Sequence, residues 1–577
     1  MKYVLAVLLL GMSLVAQASP DQRFTELLDE HWAWFMSQHP EYLTYRGDRS
    51  GNDRWTDMSL AAHIERDNQR GEFQRRLQAI EITALSEDNQ LNYRMFQRRL
   101  EGARKEQALG LNLMSLNMRD GPQHQYTVLE YTPMQDEVDY RNWLARMQAL
   151  PTLLAQYREL LEEGVSIERV QPRAVMERVP AQLDNSIADS PEYSPFYRPF
   201  KRMPATMDAQ LAEELQAQAR SVIANQVTPA YRDFKDFFVN TYLPASRPEP
   251  GVASLPGGDE IYRYLAMRFT TTDMTPEEIH ETGKGEVARI LAEMEDVKSE
   301  VGFDGDLQAF NEFLRTDPQF YYETPEALLE AYQAVSKRLD PELVSLFGKL
   351  PRMPYGVKPI PAETAPDTTT AYYMPPAING SRAGYYYVNL YRPEVRPKYE
   401  IEVLSVHEAV PGHHLQIALA QELTGLPEFR RASGVTAFVE GWGLYSERLG
   451  YQMGLYTDPY SRYGQLTYDM WRAVRLVVDT GIHYFGWSRQ EAIEYFKANA
   501  GKSEADIVNE IDRYIGWPGQ ALAYKIGQLK ILELRATAEA RLGERFDIRS
   551  FHDELLGAGA IPLDALQARM DAWMARQ

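Results

Sequence analysis

The sequence contains no cysteine among its 577 residues. This absence excludes disulfide bonds, thiol nucleophiles and thiolate metal ligands, and it removes the residue that carries the lipid of a lipoprotein. A chain of this length can bury a stable core without disulfides. Since 44% of the residues are hydrophobic and 11% are aromatic, the composition is that of a folded protein.

Basic residues are the minority among the charges. The chain has 61 Lys and Arg against 82 Asp and Glu, for a net charge of −21. This acidic balance argues against nucleic acid and against anionic membrane surfaces as partners. The sequence also lacks the G-x-S-x-G turn of many serine hydrolases.

Long apolar runs are absent except at the start of the chain. There, residues 3–16 (YVLAVLLLGMSLVA) follow Lys2, and small residues occupy both ends of the tripeptide at 16–18. The run is shorter than the roughly 20 residues of a membrane-spanning helix. It predicts a signal peptide over residues 1–18, with an uncleaved membrane anchor as the alternative. We therefore expect a periplasmic or secreted protein that makes no contact with the membrane once the signal is cleaved.

Helical patterning covers most of the remaining sequence. In residues 24–47, apolar residues recur at intervals of three and four. Two helix starts carry a hydroxyl residue followed three residues later by a glutamate, namely Thr275 with Glu278 and Ser488 with Glu491. This spacing is typical of a capping box. The pattern predicts a mainly α-helical protein.

Two segments rich in proline and glycine interrupt the helical pattern, at 244–258 and 351–380. The first marks the predicted division between an N-terminal helical region, 19–250, and a C-terminal region, 251–577. The segment GYYYVNLY, residues 384–391, is dense in tyrosine and valine and predicts a β-strand. This strand is either an aromatic core strand or an edge to which an extended peptide could add.

Three of the ten histidines lie in SVHEAVPGHHLQ, residues 405–416. Zinc favours imidazole and carboxylate ligands, and two histidines four residues apart on a helix can share one ion. His413 and His414 instead follow His407 by six and seven residues. On a regular helix, the first offset rotates the side chain by about 240° and the second separates the pair by about 10 Å. A regular helix would therefore not bring either pair onto one ion.

Pro411 and Gly412 lie inside this spacer. Proline removes a backbone donor from a helix, and glycine tolerates the distorted backbone that results. A break at this point can return His413 or His414 to the side of His407. The segment is thus either a distorted metal site or an ordinary polar junction between helices.

A carboxylate in the following segment bears on this choice. Glu440 lies in TAFVEGWGLYSERLG, an otherwise apolar helical stretch at residues 436–450. A buried carboxylate is costly unless it is paired or binds a metal, so Glu440 is the candidate third ligand. Glu447 is either a group that orients a ligand from behind or the partner of Arg448 or Arg431, and the pattern favours the arginine pair.

Four motifs occur in order along the chain: HEAVPGHHLQ (407–416), AFVEGWGLYSERLG (437–450), DTGIHYFGWSRQEA (479–492) and RYIGWPGQALAYKIG (513–527). Together they resemble the bacterial family called domain of unknown function 885, which looks like a group of zincin metallopeptidases. The similarity covers most of the mature chain. Single motifs also resemble thimet-oligopeptidase-like enzymes, although the spacer between the first two histidines is longer here.

The resemblance implies a zinc site and a catalytic apparatus. Zn²⁺ would be bound by His407, His413 and Glu440. Glu408 would act as the general base on water. The oxyanion would be stabilised by Tyr524, with His483 as the alternative.

Three further residues are implied in substrate binding. Arg513, Tyr514 and Lys525 are candidates for holding the carboxylate of a peptide substrate. The relatives are large helical bodies with a deep substrate cleft, and we expect such a body here, with a small β-sheet near the active site.

The expected function is that of an exported zinc metallopeptidase acting on short peptides as a carboxypeptidase or an oligopeptidase. One alternative is a zinc hydrolase whose substrate is a non-peptide amide or ester. The other is a binding protein with a degenerate site that holds no metal.

Overall fold

The computed structural model describes residues 19–362, 365, 368–380, 382–432 and 434–577. The predicted signal peptide, 1–18, lies outside the described residues. Within them, no helix combines the length and apolarity needed to cross a bilayer. The predicted helical class is confirmed, since helices occupy most of the described chain and one small sheet accompanies them.

The helices that precede the sheet are α1 Pro20–Gln38, α2 Pro40–Tyr45, α3 Leu60–Gln78, α4 Glu87–Ala108, α5 Glu137–Ser166, α6 Arg173–Met176, α7 Val179–Asp184, α8 Ala209–Val222, α9 Thr228–Phe237, α10 Leu243–Ala245, α11 Gly258–Thr270, α12 Pro276–Glu300, α13 Leu307–Thr316, α14 Pro325–Leu339 and α15 Leu343–Leu346. The helices that follow it are α16 Ile401–Glu408, α17 His413–Glu422, α18 Glu428–Arg431, α19 Thr436–Leu449, α20 Pro459–His483, α21 Arg489–Asn499, α22 Glu504–Gly516, α23 Ala523–Leu542, α24 Ile548–Leu556 and α25 Leu563–Arg576.

Both predicted capping boxes are present. At the start of α12, Thr275 accepts the backbone N–H of Glu278, whose side chain returns to the backbone of Thr275. Ser488 and Glu491 do the same at the start of α21. Each box satisfies two donors that a helix end otherwise leaves unpaired.

The sheet has three strands in the order β1-β3-β2: β1 Tyr355–Pro359, β2 Ala371–Met374 and β3 Gly384–Val388. Strand β3 confirms the predicted strand within 384–391, and of its two predicted roles the core strand is correct and the edge is wrong. It is the central strand, parallel to β1 and antiparallel to β2. The segment 351–380, expected to be only a break, supplies both edge strands. Strand β1 has five residues and β2 has four, and both are too short to show a clear alternation of apolar and polar residues.

The interior consists of two hydrophobic clusters that draw on both halves of the sequence. One packs Phe24 and Phe96 with Trp442 and Trp573, and the other includes Trp143 from α5. Helix α20 is buried along most of its length and lies against α12, while α19 packs on α23. The division near residue 250 stays a prediction about organisation.

Candidate metal centre

The histidine motif is split between two helices. Helix α16 ends at Glu408 and α17 begins at His413, with a turn between them. In this turn the backbone N–H of Gly412 donates to the carbonyl of Val406 at 3.0 Å. A Cβ atom on Gly412 would lie 1.9 Å from the carbonyl oxygen of His407, so only glycine fits this position. The interruption expected from Pro411 and Gly412 is therefore present.

The break brings two imidazoles and a carboxylate together. The ring centroids of His407 and His413 are 4.7 Å apart. Oε2 of Glu440, from α19, lies 3.5 Å from Nε2 of His413 and 3.9 Å from Nε2 of His407. All three ligand atoms lie within 4.8 Å of one another. Ligands about 2 Å from a tetrahedral ion stand about 3.3 Å apart, so small side-chain movements suffice to place all three on one zinc ion.

His414 lies outside this cluster. Its Nδ1 is 2.8 Å from the hydroxyl of Tyr373, and its Nε2 is 3.0 Å from the carbonyl oxygen of Met353. Burial lowers the pKa of His414 to about 4. With both nitrogens bonded to protein groups, His414 ties α17 to the sheet region. Of the two alternatives left open by the sequence, the structure places His413 beside His407.

Behind the cluster, Glu447 contacts the first histidine. Its Oε1 lies 2.8 Å from Nδ1 of His407 and 3.3 Å from the guanidinium of Arg472. The Glu447 side chain is fully buried, and this burial raises its pKa to about 8. The favoured pairing with Arg448 or Arg431 is thus wrong, because Glu447 faces inward from α19. The contact occupies Nδ1 of His407 and leaves Nε2 directed at the cluster.

Two glycines of α19 permit this geometry. A Cβ atom on Gly443 would lie 2.8 Å from Cε1 of His407, and one on Gly441 would lie 2.5 Å from the backbone of Gly527. The first glycine lets the imidazole lie against α19, and the second lets α19 and α23 approach closely. The sequence E-G-W-G therefore supplies the candidate ligand Glu440 and two glycines that leave room for the neighbouring groups.

The surroundings of the cluster shift the pKa values of its two histidines in opposite directions. Burial, together with the nearby charges of His413 and Arg472, holds the pKa of His407 well below its usual range. Burial also opposes the charged form of His413, but its hydrogen bond to Glu440 and the charges of Glu440 and Glu408 together outweigh burial and raise its pKa. The same bond lowers the pKa of Glu440 despite burial. His407 is therefore neutral, as a metal ligand must be, and Glu440 is ionised.

Glu408, the last residue of α16, lies beside the sheet. The backbone N–H of Tyr373, on edge strand β2, is directed at its carboxylate. Burial raises the pKa of Glu408, and the charge of Glu440 adds to this effect while His413 opposes it. A carboxyl group with a raised pKa next to possible ligands is suited to accept and return a proton.

Tyr524 is brought to the cluster as well. Its hydroxyl donates a hydrogen bond to Glu440, and the guanidinium of Arg475 lies 4.4 Å from the centre of its ring. Burial and the charge of Glu440 raise the pKa of Tyr524, which therefore keeps its proton at neutral pH. The structure thus places a phenolic donor next to the third candidate ligand.

His483, the alternative to Tyr524, is held by backbone groups. The N–H of Val252 donates to its Nδ1 at 3.2 Å, and its Nε2 lies 2.9 Å from the carbonyl oxygen of Tyr514. Burial lowers its pKa to about 3. With both ring nitrogens occupied, His483 joins the end of α20 to neighbouring segments and has no donor left for a substrate.

The three candidates for a substrate carboxylate also have internal partners. Arg513 bonds to Glu510 and Gln520, and the Tyr514 hydroxyl donates to Glu510 at 2.7 Å. Lys525 is fully buried and forms an ion pair with Asp469. These contacts do not leave the three side chains directed at a shared substrate position.

Sequence reasoning missed the charged residues of α20 that surround the site. Asp469, Arg472 and Arg475 occur three residues apart on a helix that is buried along most of its length. That spacing puts them on one face. A row of charges within a buried helix was the signal that could have identified them.

The chain matches a bacterial protein family and is similar to solved structures. A family model described as "Bacterial protein of unknown function (DUF885)" matches residues 40–570. The chain is similar to a crystal structure of a "putative lipoprotein" from Colwellia psychrerythraea, with a TM-score of 0.91 and 28% identity over 97% of this chain and 100% of that one. A "putative lipoprotein of unknown function" from Shewanella oneidensis gives 0.71 and 17% over 96% and 100%, which indicates the fold alone. No curated protein matches the chain.

Proposed function

The chain belongs to the DUF885 family of bacterial proteins of unknown function, and we propose that this member is an exported zinc-dependent hydrolase that cleaves short peptides. The observation that carries the proposal is the convergence of His407, His413 and Glu440 from three helices, with their ligand atoms within 4.8 Å. Two imidazole nitrogens and one carboxylate oxygen are the donor set of catalytic zinc sites, which leave a fourth position open.

The residues around the ligands have the properties that the proposal requires. Oε1 of Glu447 lies 2.8 Å from Nδ1 of His407. Once a metal binds Nε2, Glu447 would accept the Nδ1–H and hold the imidazole in that tautomer. Zn²⁺, when bound, polarises a substrate carbonyl and makes water more acidic. Glu408 then takes the proton of the attacking water and returns it to the leaving amine. The Tyr524 hydroxyl donates to the developing oxyanion.

A peptide substrate is favoured by the edge strand beside the general base. Strand β2 pairs with β3 on one side only, and the N–H of Tyr373 on its other side faces Glu408. An extended peptide can add to such an edge through backbone hydrogen bonds. In this arrangement the scissile bond would pass next to Glu408. We extend the proposal to a zincin-like body whose substrate cleft follows β2, with carboxypeptidase or oligopeptidase action.

Export is supported by the apolar segment at the start of the sequence. Both similar structures are described as putative lipoproteins, a class of exported proteins. The present chain has no cysteine that could carry a lipid. The proposed location is the periplasm or the medium.

A hydrolase of a non-peptide amide or ester would use the same ligands and the same base, and substrate profiling separates it from a peptidase. A metal-free binding protein is the second alternative. The experiment that distinguishes it is the zinc content of the purified mature protein, dialysed against a weak chelator. One zinc per chain supports the proposal, whereas a metal-free chain that also fails to take up added zinc contradicts it.

A further inference from the structure

A polar cavity lies in the N-terminal region and shares no residue with the histidine cluster. Its volume is about 370 Å³, at the lower end of the sizes that hold small ligands. Helix α3 contributes His63, Arg66 and Arg70, and α5 contributes Leu153 and Tyr157. The walls are therefore apolar on one side and basic on the other.

The two arginines lack carboxylate partners. Arg66 is 4% exposed, and its one hydrogen bond is to the backbone carbonyl of Asp57 at 2.7 Å. Arg70, one turn further on, forms no hydrogen bond or ion pair with any of the described residues. Burial lowers the pKa of both, and the charge of Arg70 lowers that of Arg66 further. Buried charges in proteins are ordinarily paired. In the part of the chain that the structure describes, buried Arg66 and partly buried Arg70 have no direct counter-ion.

The nearby acids are engaged elsewhere. Glu41, the acidic residue of the lining, accepts the backbone N–H and the hydroxyl of Thr56 at 2.9 and 2.6 Å. Asp67 faces Arg104 at 3.5 Å, and Glu106 pairs with Arg268. The charges of Asp67 and Glu106 raise the pKa of Arg70, and that of Asp57 raises the pKa of Arg66. These effects are smaller than that of burial, and within the described residues none of these acids forms an ion pair with either arginine.

One histidine of the lining adds a polar group without a partner. Nε2 of His63 is buried and has no partner in the described part of the chain, and the tautomer that protonates this nitrogen donates into the cavity. His39 adds no donor, because its Nδ1 donates to the carbonyl of Phe35 at 2.7 Å and its Nε2 is then the acceptor of a neutral ring. An unbonded buried nitrogen is costly. A ligand with acceptor oxygens would satisfy it together with the arginines.

We propose that this cavity binds a small organic acid, whose oxyanion lies between Arg66, Arg70 and His63 while its apolar part rests on Leu153 and Tyr157. Guanidinium groups match the planar geometry of a carboxylate and also bind phosphate oxygens. Because the lining is partly apolar, an organic anion is preferred over an inorganic one. The inference is independent of the proposed hydrolase activity, since no residue of that site takes part.

The test is isothermal titration of the mature protein with benzoate, phenyl phosphate and inorganic phosphate, in chloride of matched ionic strength. The proposal expects at least one of the two organic anions to bind more tightly than about 1 mM, and more tightly than inorganic phosphate. The variant Arg70→Gln should weaken binding at least tenfold. Arg75→Gln, a matched change at an exposed position of the same helix, should leave binding unchanged.

Thermal unfolding supplies a second readout. In chloride alone, Arg70→Gln should melt at or above the temperature of the wild type, because it removes an unpaired charge. The bound organic anion should raise the melting temperature of the wild type and not that of the variant. The proposal is overturned if neither organic anion binds more tightly than about 1 mM, if inorganic phosphate binds best, or if Arg70→Gln binds as the wild type does.

Discussion

The Nδ1 atom of His407 lies 2.8 Å from Oε1 of Glu447, and both side chains are buried. This contact links the first candidate ligand to a charged network that continues through Arg472. The imidazole is thereby fixed on one side, and its other nitrogen faces His413 and Glu440. Contacts among protein groups alone therefore hold the three candidate ligands close together.

Glu447→Gln should weaken zinc binding by about 10–100-fold, the usual cost of losing a carboxylate behind a histidine ligand. The amide keeps the size of the side chain but cannot ionise, so it cannot stabilise the positive charge that a bound metal would place on the imidazole. Competition with a fluorescent chelator measures the affinity. Glu539→Gln, at an exposed position, is the matched control. An unchanged zinc affinity for Glu447→Gln would show that the contact does not support a metal.

Glu440→Ala should sharply lower zinc occupancy, since it removes the carboxylate oxygen of the cluster. His414→Asn should retain zinc, because His414 is bonded to Tyr373 and Met353 and lies outside the cluster. Zinc per folded chain, measured by elemental analysis, compares the two variants. Tight zinc binding by Glu440→Ala would mean that another residue is the third ligand.

Gly443→Ala should disturb the same site by steric contact alone. Its new Cβ would lie 2.8 Å from Cε1 and 3.0 Å from Nε2 of His407. We expect weaker zinc binding and a free energy of unfolding lower by about 1–3 kcal/mol. Gly285→Ala is the control, because its Cβ would enter open space on α12, and it should stabilise by up to about 1 kcal/mol. Equal effects of the two changes would contradict the packing described for α19.

The pH dependence of stability should reveal the buried state of His483. Burial lowers its pKa to about 3 in the folded protein, against about 6.5 in an unfolded chain. Between these values the unfolded state binds more protons, so the contribution of His483 to stability is complete above pH 6.5 and is lost as the pH falls.

His483→Gln lacks this titration and also loses native hydrogen bonds. The variant should be less stable than the wild type at pH 7, and the difference should shrink at pH 5. Urea unfolding at both pH values measures it. A difference that stays constant would show that His483 is accessible to protons in the folded state.

Much of this organisation is predictable from the sequence because it follows local rules. The capping boxes at Thr275 and Ser488 are set by residues three positions apart, and the interruption of the histidine motif is set by Pro411 and Gly412. The two strands beside β3 were not predictable, since both are short and give no clear alternation. For Glu447 the wrong one of two alternatives was favoured, because its side chain is seen to face the interior only once α16 and α20 are packed around α19.

A single sequence does not show which charged residues pair with each other inside the folded protein. Arg513 and Lys525 have the chemistry of substrate anchors, and only the packing shows that Glu510 and Asp469 already engage them. The distinction between His413 and His414 is also tertiary. Adjacent residues leave α17 in different directions, and strand β2 supplies the tyrosine that holds the second histidine.

The most direct measurement of the central claim is mass spectrometry of a mixed peptide pool incubated with the mature protein, with and without a chelator, beside Glu408→Gln. This variant removes the base and no ligand, so it should bind zinc normally and lose about 10²–10⁴ in turnover. If the proposed hydrolase activity is correct, the wild type produces peptide fragments that disappear when the chelator is added and are absent with Glu408→Gln. Their ends would separate trimming from internal cleavage. Fragments that persist in the chelator, or equal activity of Glu408→Gln and the wild type, would contradict it.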